Sequence, residues 1–373
     1  MRNLVILSSA FCIALTGAFL GLTRSSAQTT QPDRARQAAT PTPAVMPTTP
    51  AAAKPAATPA PTPDEVIRID TELVNLNVRV IDRNNRPINN IKENEFKIYE
   101  DGIPQEIAFF SKSEVPTNYG LVIDNSGSLR LQLEKVIEAG KIIVGTNKPA
   151  DETMVIRFVS SQKIEIIQDF TPNKTELSDA LENLFIEGGQ TAIIDAVYLA
   201  AEKVDQYENS RSPNERKRRA LVLVSDGEDR SSFYKEPQLF ELLREADVQI
   251  YVIGFVNELS KDGGFISKSP QGKAKAFLQR LADDTGGKAY FPLSPNELTG
   301  IASDIASEMR TQYSIGYQPS NDKSDGTFRN IKVVVDDGPN KQKRIAVTRS
   351  GRTADNDKTG APSLQNPAQT KVQ

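Results

Sequence analysis

Two stretches limit what this chain can fold into more than any other: NYGLVID, residues 118–124, and RRALVLVSDG, residues 218–227. Each carries an unbroken apolar run instead of alternating apolar and polar residues. Alternation marks a strand with one wet face, whereas an unbroken run marks a strand covered on both. A chain with two such strands must supply helices to cover them, and the intervening residues do. SLRLQLEKVIEAGKIIV places Leu129, Leu133, Val136, Ile137, Gly140 and Val144 on one helical face. TELSDALENLF and TAIIDAVYLAAEKV read as helices, VQIYVIGF as a further buried strand, and KAKAFLQRLADDTGG as a helix stopped by glycines. KAYFPL is a short strand, and SPNELTGIASDIASEM opens with Ser294 as an N-cap and Glu297 three residues on. TMVIRFVSS and KIEIIQDF pair as a hairpin around residues 160–162, which places one antiparallel strand at a sheet edge. The expected fold is α/β, a doubly wound and mostly parallel sheet spanning residues 117–311.

The flanks are β-rich. In residues 65–116, Val74, Leu76, Val78 and Val80 alternate with Asn75, Asn77 and Arg79, and FKIYEDG and QEIAFF follow as two short strands around Asp101–Gly102. In residues 312–352, Tyr313, Ile315 and Tyr317 alternate, then Ile331, Val333 and Val335, then Ile345 and Val347. One small β-sandwich built from both flanks, with the α/β domain inserted in it, is the economical reading. Two separate β pieces are the alternative. The polar tail, residues 353–373, is expected to be disordered.

The N-terminal end sets the compartment. Arg2, an apolar run from Leu4 to Leu22 and then Ser25-Ser26-Ala27 read as a signal peptide over residues 1–27. An uncleaved anchor is the competing reading, because the run is long, and without cleavage it is the one membrane span expected. Residues 28–64 are rich in Pro, Ala and Thr, a semi-rigid linker. The folded part is therefore expected outside the cytoplasm: periplasmic, at the cell envelope or secreted. The only cysteine, Cys12, lies within the signal, so the mature chain has no disulfide to rely on. The 373 residues contain no histidine, which excludes Ser-His-Asp and Cys-His catalysis and His-bound zinc. A net charge of -3 gives no reason to expect nucleic acid as a partner.

Three polar groups stand where ligands gather in an open α/β sheet, at the carboxyl ends of strands. Asp124, Ser126 and Ser128 follow the first buried strand, Thr191 opens a helix after a glycine pair, and Asp226 ends the strand RRALVLVS. Each alone has a plainer account: a helix N-cap, or a turn at a strand end. Together they place two carboxylates at one crevice, where like charges repel unless neutralised. With hydroxyls nearby and no nitrogen or sulfur donor, the neutraliser expected is a hard divalent cation, Mg²⁺ or Mn²⁺, with Ca²⁺ a poorer fit. A water on that cation can give way to an incoming carboxylate.

DNSGS, GGQTAIIDA and LVLVSDGED resemble the three segments of the metal-ion-dependent adhesion site of von Willebrand factor type A domains, over roughly residues 118–309. The flanks VRVIDRNNRPINNIKENEFKIYEDG and QYSIGYQP resemble exported bacterial members. The resemblance implies Mg²⁺ at the strand ends, held directly by Ser126 and Ser128 and by Thr191 directly or through water. Asp124 and Asp226 would act mostly through water. The function expected is a non-enzymatic adhesion or protein-interaction module that binds an Asp or Glu carboxylate of a protein partner through the metal. Two rivals are a structural envelope protein whose domain works without metal, and a metal-dependent hydrolase with Asp124 as nucleophile. Asp195, one turn after Thr191, is expected to orient that loop, and Glu228, Asp229 and Arg230 to form a rim or a solvated loop. The basic run of residues 210–220 reads as solubilising, and the loop of residues 257–273 as a partner contact.

Overall fold

The computed structural model describes residues 73–112, 114–211, 217–262 and 269–354. The expected export signal and linker and all of the tail beyond residue 354 lie outside the described residues, as do parts of the two loops at 210–220 and 257–273. The first flank supplies β1 (Val74–Ile81), β2 (Phe96–Glu100), β3 (Ile103–Gln105) and β4 (Ile107–Ser111). The middle runs β5 (Thr117–Asp124), α1 (Leu133–Gly145), β6 (Glu152–Ser160), β7 (Lys163–Thr171), α2 (Lys174–Glu182), α3 (Ile193–Asn209) and β8 (Arg218–Ser225). It continues through α4 (Glu236–Ala246), β9 (Gln249–Gly254), α5 (Pro270–Thr285), β10 (Lys288–Tyr290) and α6 (Leu298–Arg310). The second flank adds β11 (Tyr313–Tyr317), β12 (Phe328–Val335), β13 (Ile345–Val347) and β14 (Gly351–Thr353). Among the described residues no helix is long and apolar enough to cross a membrane.

The middle forms a six-stranded sheet in the order β10-β9-β8-β5-β6-β7. All its pairings are parallel except the β6–β7 hairpin at the edge. Every residue of β5 and of β9 is buried, as unbroken apolar runs require. One face packs under α3, α4 and α5 through Val122, Leu221, Val197 and Leu278. The other packs under α1, α2 and α6 through Leu121, Val222, Ile143 and Ile305. A doubly wound sheet is the result.

The flanks interleave in two four-stranded sheets, β13-β1-β11-β4 and β14-β12-β2-β3. Each sheet mixes strands from both ends of the chain. Their inner faces share one core of Leu76, Val78, Phe96, Ile98, Ile315 and Val333, with the Phe96 and Tyr313 rings 5.1 Å apart across it. The sandwich is single, not two separate pieces. One detail differs from expectation: QEIAFF is not one strand. Residues 103–105 pair with β2 and residues 107–111 with β11, so the chain changes sheets at Glu106 and supplies an edge strand to each. Order also extends past the start of the expected tail, because β14 pairs with β12 and Ala354 is buried.

Buried arginines join the two domains. Arg79, on β1, pairs with Glu308 of α6 at 2.6 Å and donates to the Gly287 carbonyl at 2.7 Å. Arg218 belongs to the run read as solubilising, yet it is buried. It donates to Asn77 Oδ1 at 3.0 Å, Gln312 O at 3.2 Å and Ser314 Oγ at 2.9 Å. Its position at the first residue of β8 aims it at the sandwich, and charge counting along the sequence cannot show that. Arg79→Ala is expected to cost about 3 kcal/mol in denaturant unfolding, because it strips a buried carboxylate of its closest partner. Lys288, 3.2 Å from the other Glu308 oxygen, keeps the loss at the low end of that class.

At the end of α5, Gly286 adopts φ 75° and the Gly287 N–H donates to Ala282 O at 2.9 Å, a left-handed helix stop. Gly287 then passes against β9 so closely that a Cβ there would lie 2.0 Å from the Ile250 carbonyl oxygen.

Candidate metal centre

The direction of winding reverses between β5 and β8. From β5 the chain proceeds outward through β6 and β7, and from β8 it proceeds the other way through β9 and β10. A crevice therefore opens at the carboxyl ends of these two strands. The register pairs Ile123 with Val224, so Asp124 ends β5 beside Ser225, and Asp226 follows at once.

Asp124 is fully buried there. Its Oδ1 accepts the Ser126 N–H at 2.9 Å and its Oδ2 accepts the Ser225 hydroxyl at 2.8 Å. The Ser126 and Ser128 hydroxyls lie 2.8 Å apart, Ser126 buried and Ser128 open to solvent. Asn125, between Asp124 and Ser126, is buried with its amide nitrogen donating to Phe185 O at 2.7 Å. Burial, together with the nearby charge of Asp226, pushes the Asp124 carboxyl up to about 6. Asp226 is itself buried, and its Oδ1 accepts the Glu228 N–H at 3.0 Å. Among the described residues neither aspartate has a lysine or arginine as an ion-pair partner. Ser225 was not singled out in the sequence. Its hydroxyl links Asp124 to the Gly227 N–H at 3.1 Å, and the only signal for it was a serine closing an apolar strand.

Thr191 is buried, but it does not cap α3. The residue in the cap position is Ala192, and no side chain caps the helix. The Thr191 carbonyl accepts N–H groups from Arg230 at 2.8 Å and Ser231 at 3.2 Å, which ties its loop to the one leaving β8. Asp195 works on that same second loop. Its carboxylate accepts the N–H groups of Phe233 at 2.8 Å and Tyr234 at 2.9 Å, and the Ser161 hydroxyl at 2.5 Å. Asp229 accepts the Ile194 N–H at 3.3 Å, and Glu228 is paired with Arg230. The structure thus joins Asp124, Ser126 and Ser128 by direct contacts, sets Asp226 next to Asp124, and ties Thr191 through its carbonyl to the loop that follows Asp226.

The donor set suits a small hard cation. All five side chains offer oxygen, and two of the hydroxyls are about as far apart as neighbouring ligands of an octahedron with bonds of ~2.1 Å, which is about 3.0 Å. No cluster of three or more Asp, Glu, Cys or His is present among the described residues, so a cation held here would depend on hydroxyls. A carboxylate raised first by its burial and then by a second one beside it is a charge arrangement that a divalent ion relieves.

Residues 120–304 match the von Willebrand factor type A domain family. No curated protein matches the chain. Similar solved structures include an aerotolerance-related membrane protein from Bacteroides fragilis, 20% identical over 52% of this chain and 98% of that one, with TM-score 0.40. Another is a von Willebrand factor type A structure from Catenulispora acidiphila, 14% identical, covering 70% of this chain and 75% of that one, with TM-score 0.41. A third is the vWF domain of the type V pili tip protein Mfa5 from Porphyromonas gingivalis, 12% identical over 52% and 95%, with TM-score 0.39.

Proposed function

Since residues 120–304 of this chain are a von Willebrand factor type A domain, we propose that it serves as an exported, non-enzymatic adhesion module that binds an acidic group of a protein partner through Mg²⁺. Ser126, Ser128 and Thr191 hold the ion, and Asp124 and Asp226 neutralise it. The bound ion supplies an open coordination position that accepts a partner's Asp or Glu carboxylate. One observation carries this reading: two hydroxyls 2.8 Å apart beside a buried aspartate that has no cationic side chain to balance it among the described residues.

Titration calorimetry of the full chain with Mg²⁺ and Mn²⁺ tests the ion. Saturable binding is expected in the parent, with a loss of at least tenfold in affinity in Ser126→Ala/Ser128→Ala. Failure to saturate in the parent would overturn the metal part and favour a metal-independent interaction domain. The carboxylate is tested with the tripeptide acetyl-Gly-Asp-Gly-amide followed by NMR. It should perturb the protein in Mg²⁺ and not in chelator, and the Gly-Asn-Gly analogue should do neither.

A further inference from the structure

Five large apolar side chains of the α/β domain stand exposed among the described residues, and four of them sit on loops at the metal-site end of the sheet. These are Leu131 at 80% exposure, Phe185 at 51%, Phe233 at 76% and Leu293 at 82%. Single exposed hydrophobics are ordinary, but four on the loops at one end of the sheet concentrate apolar area at that end. Leu131 follows Ser128 on the loop after β5. Phe185 lies on the loop leading to Thr191, and its carbonyl receives the Asn125 amide at 2.7 Å. Phe233 is on the loop after Asp226, and Leu293 on the loop after β10.

These loops are fixed. The buried Asp195 holds the backbone of Phe233 and Tyr234, and the Tyr234 ring stacks on Tyr198 at 3.9 Å with Phe233 set edge-on against it at 5.4 Å. On the opposite side Gln132 donates to Glu258 at 2.5 Å and Asn257 to the Pro292 carbonyl at 2.8 Å, which links the Leu131 and Leu293 loops through a third. The Arg157 guanidinium lies 4.3 Å from the centroid of the Phe185 ring and props it from one face. Apolar groups already held in place lose little freedom on binding.

We propose that Leu131, Phe185, Phe233 and Leu293 form an apolar collar around the metal site, and that the partner is a protein loop whose anchoring carboxylate is flanked by apolar side chains. This rests on the proposed function, since the metal supplies the acidic half of the match. The collar supplies the other half, the buried contact area that a single carboxylate lacks.

The test is selection of a displayed loop library with a central Asp and randomised flanks on the full chain in Mg²⁺, beside a library with Asn at the centre. Enrichment of Leu, Ile, Val or Phe next to the Asp is expected. The selected loops should bind the Leu131→Ser/Phe233→Ser/Leu293→Ser variant at least tenfold more weakly, with its Mg²⁺ affinity by calorimetry unchanged. All three side chains are exposed, so the variant keeps its core. Polar flanks, or equal binding to the variant, would overturn the collar and leave the metal reading standing. Loops retained equally in chelator or from the Asn library would overturn the metal reading and the acidic anchor with it. A Mg²⁺-dependent dimer in ultracentrifugation that the variant abolishes would make the occupant a second copy of this chain and overturn the proposal.

Discussion

Asp124→Asn is expected to abolish Mg²⁺ binding and, in chelator at pH 7, to make the protein more stable than the parent. The two effects share one cause. The folded parent carries a carboxylate that burial and Asp226 disfavour, with its pKa at about 6. A shift of about two units above the ordinary value corresponds to about 3 kcal/mol between the protonated and ionised forms. The folded carboxyl binds its proton more tightly than the unfolded one, so this group's contribution is fully present below about pH 4. It is lost as pH rises through about 6. Metal-free parent should therefore gain stability between pH 7 and pH 4.5 from this group, and Asp124→Asn should lack that increment. Mg²⁺ is expected to restore what ionisation removes. At a hundredfold excess over Kd it is expected to add about 2.7 kcal/mol by mass action, roughly 3–5 °C in Tm for a chain of this size. Thermal unfolding of parent and variant in Mg²⁺ and in chelator, at both pH values, reads all of these outcomes. A variant less stable than the parent in chelator would mean that Asp124 is a structural acceptor and not a metal-site charge.

Gly287→Ala is expected to destabilise by at least about 3 kcal/mol, at the severe end of overpacking. The obstacle is backbone: the added Cβ would lie 2.0 Å from the Ile250 oxygen and 2.6 Å from its carbonyl carbon, both within the buried strand β9. No rotamer change relieves such a contact. The same glycine's carbonyl receives Arg79, so displacing it also loosens the junction with the sandwich. Gly300→Ala in α6 is the matched control. A Cβ there meets nothing within 4 Å, and the substitution should stabilise by up to about 1 kcal/mol. Chemical denaturation of the two variants should move in opposite directions. A Gly287→Ala protein with parental stability would show that β9 and the end of α5 can separate without cost.

The parts of this protein legible in its sequence are those governed by periodicity and local chemistry. Unbroken apolar runs announce β5 and β8, alternation announces β1 and β11, and Ser294 with Glu297 announces the cap before α6. What convergence on the switch point adds is tertiary. Ser225 looks like any strand-ending serine until the register of β5 and β8 sets its hydroxyl against Asp124. Arg218 reads as one more charge in a basic run, and only the position of the sandwich shows why it is buried. The break at Glu106 is hidden for the same reason, because IPQEIAFF has β character throughout and only the need of two sheets for partners divides it. Thr191 shows the limit of cap rules: its position next to α3 is legible, but the hydrogen bonds that hold it involve the chain around Arg230.

The interleaving of the two flanks has a kinetic consequence. Val78 pairs with Tyr313 and Ile98 with Val333, so neither sheet of the sandwich can be completed until the second flank joins the first. Closing loops that long on an unfolded chain is slow and entropically costly. A folded α/β domain removes most of that cost, because it delivers Thr117 and Arg310 to the same end of the molecule. The inserted domain therefore acts as the template for the domain that surrounds it. Until it is complete, β1 lacks both of its partners and β2 has only β3, the state most exposed to aggregation during synthesis.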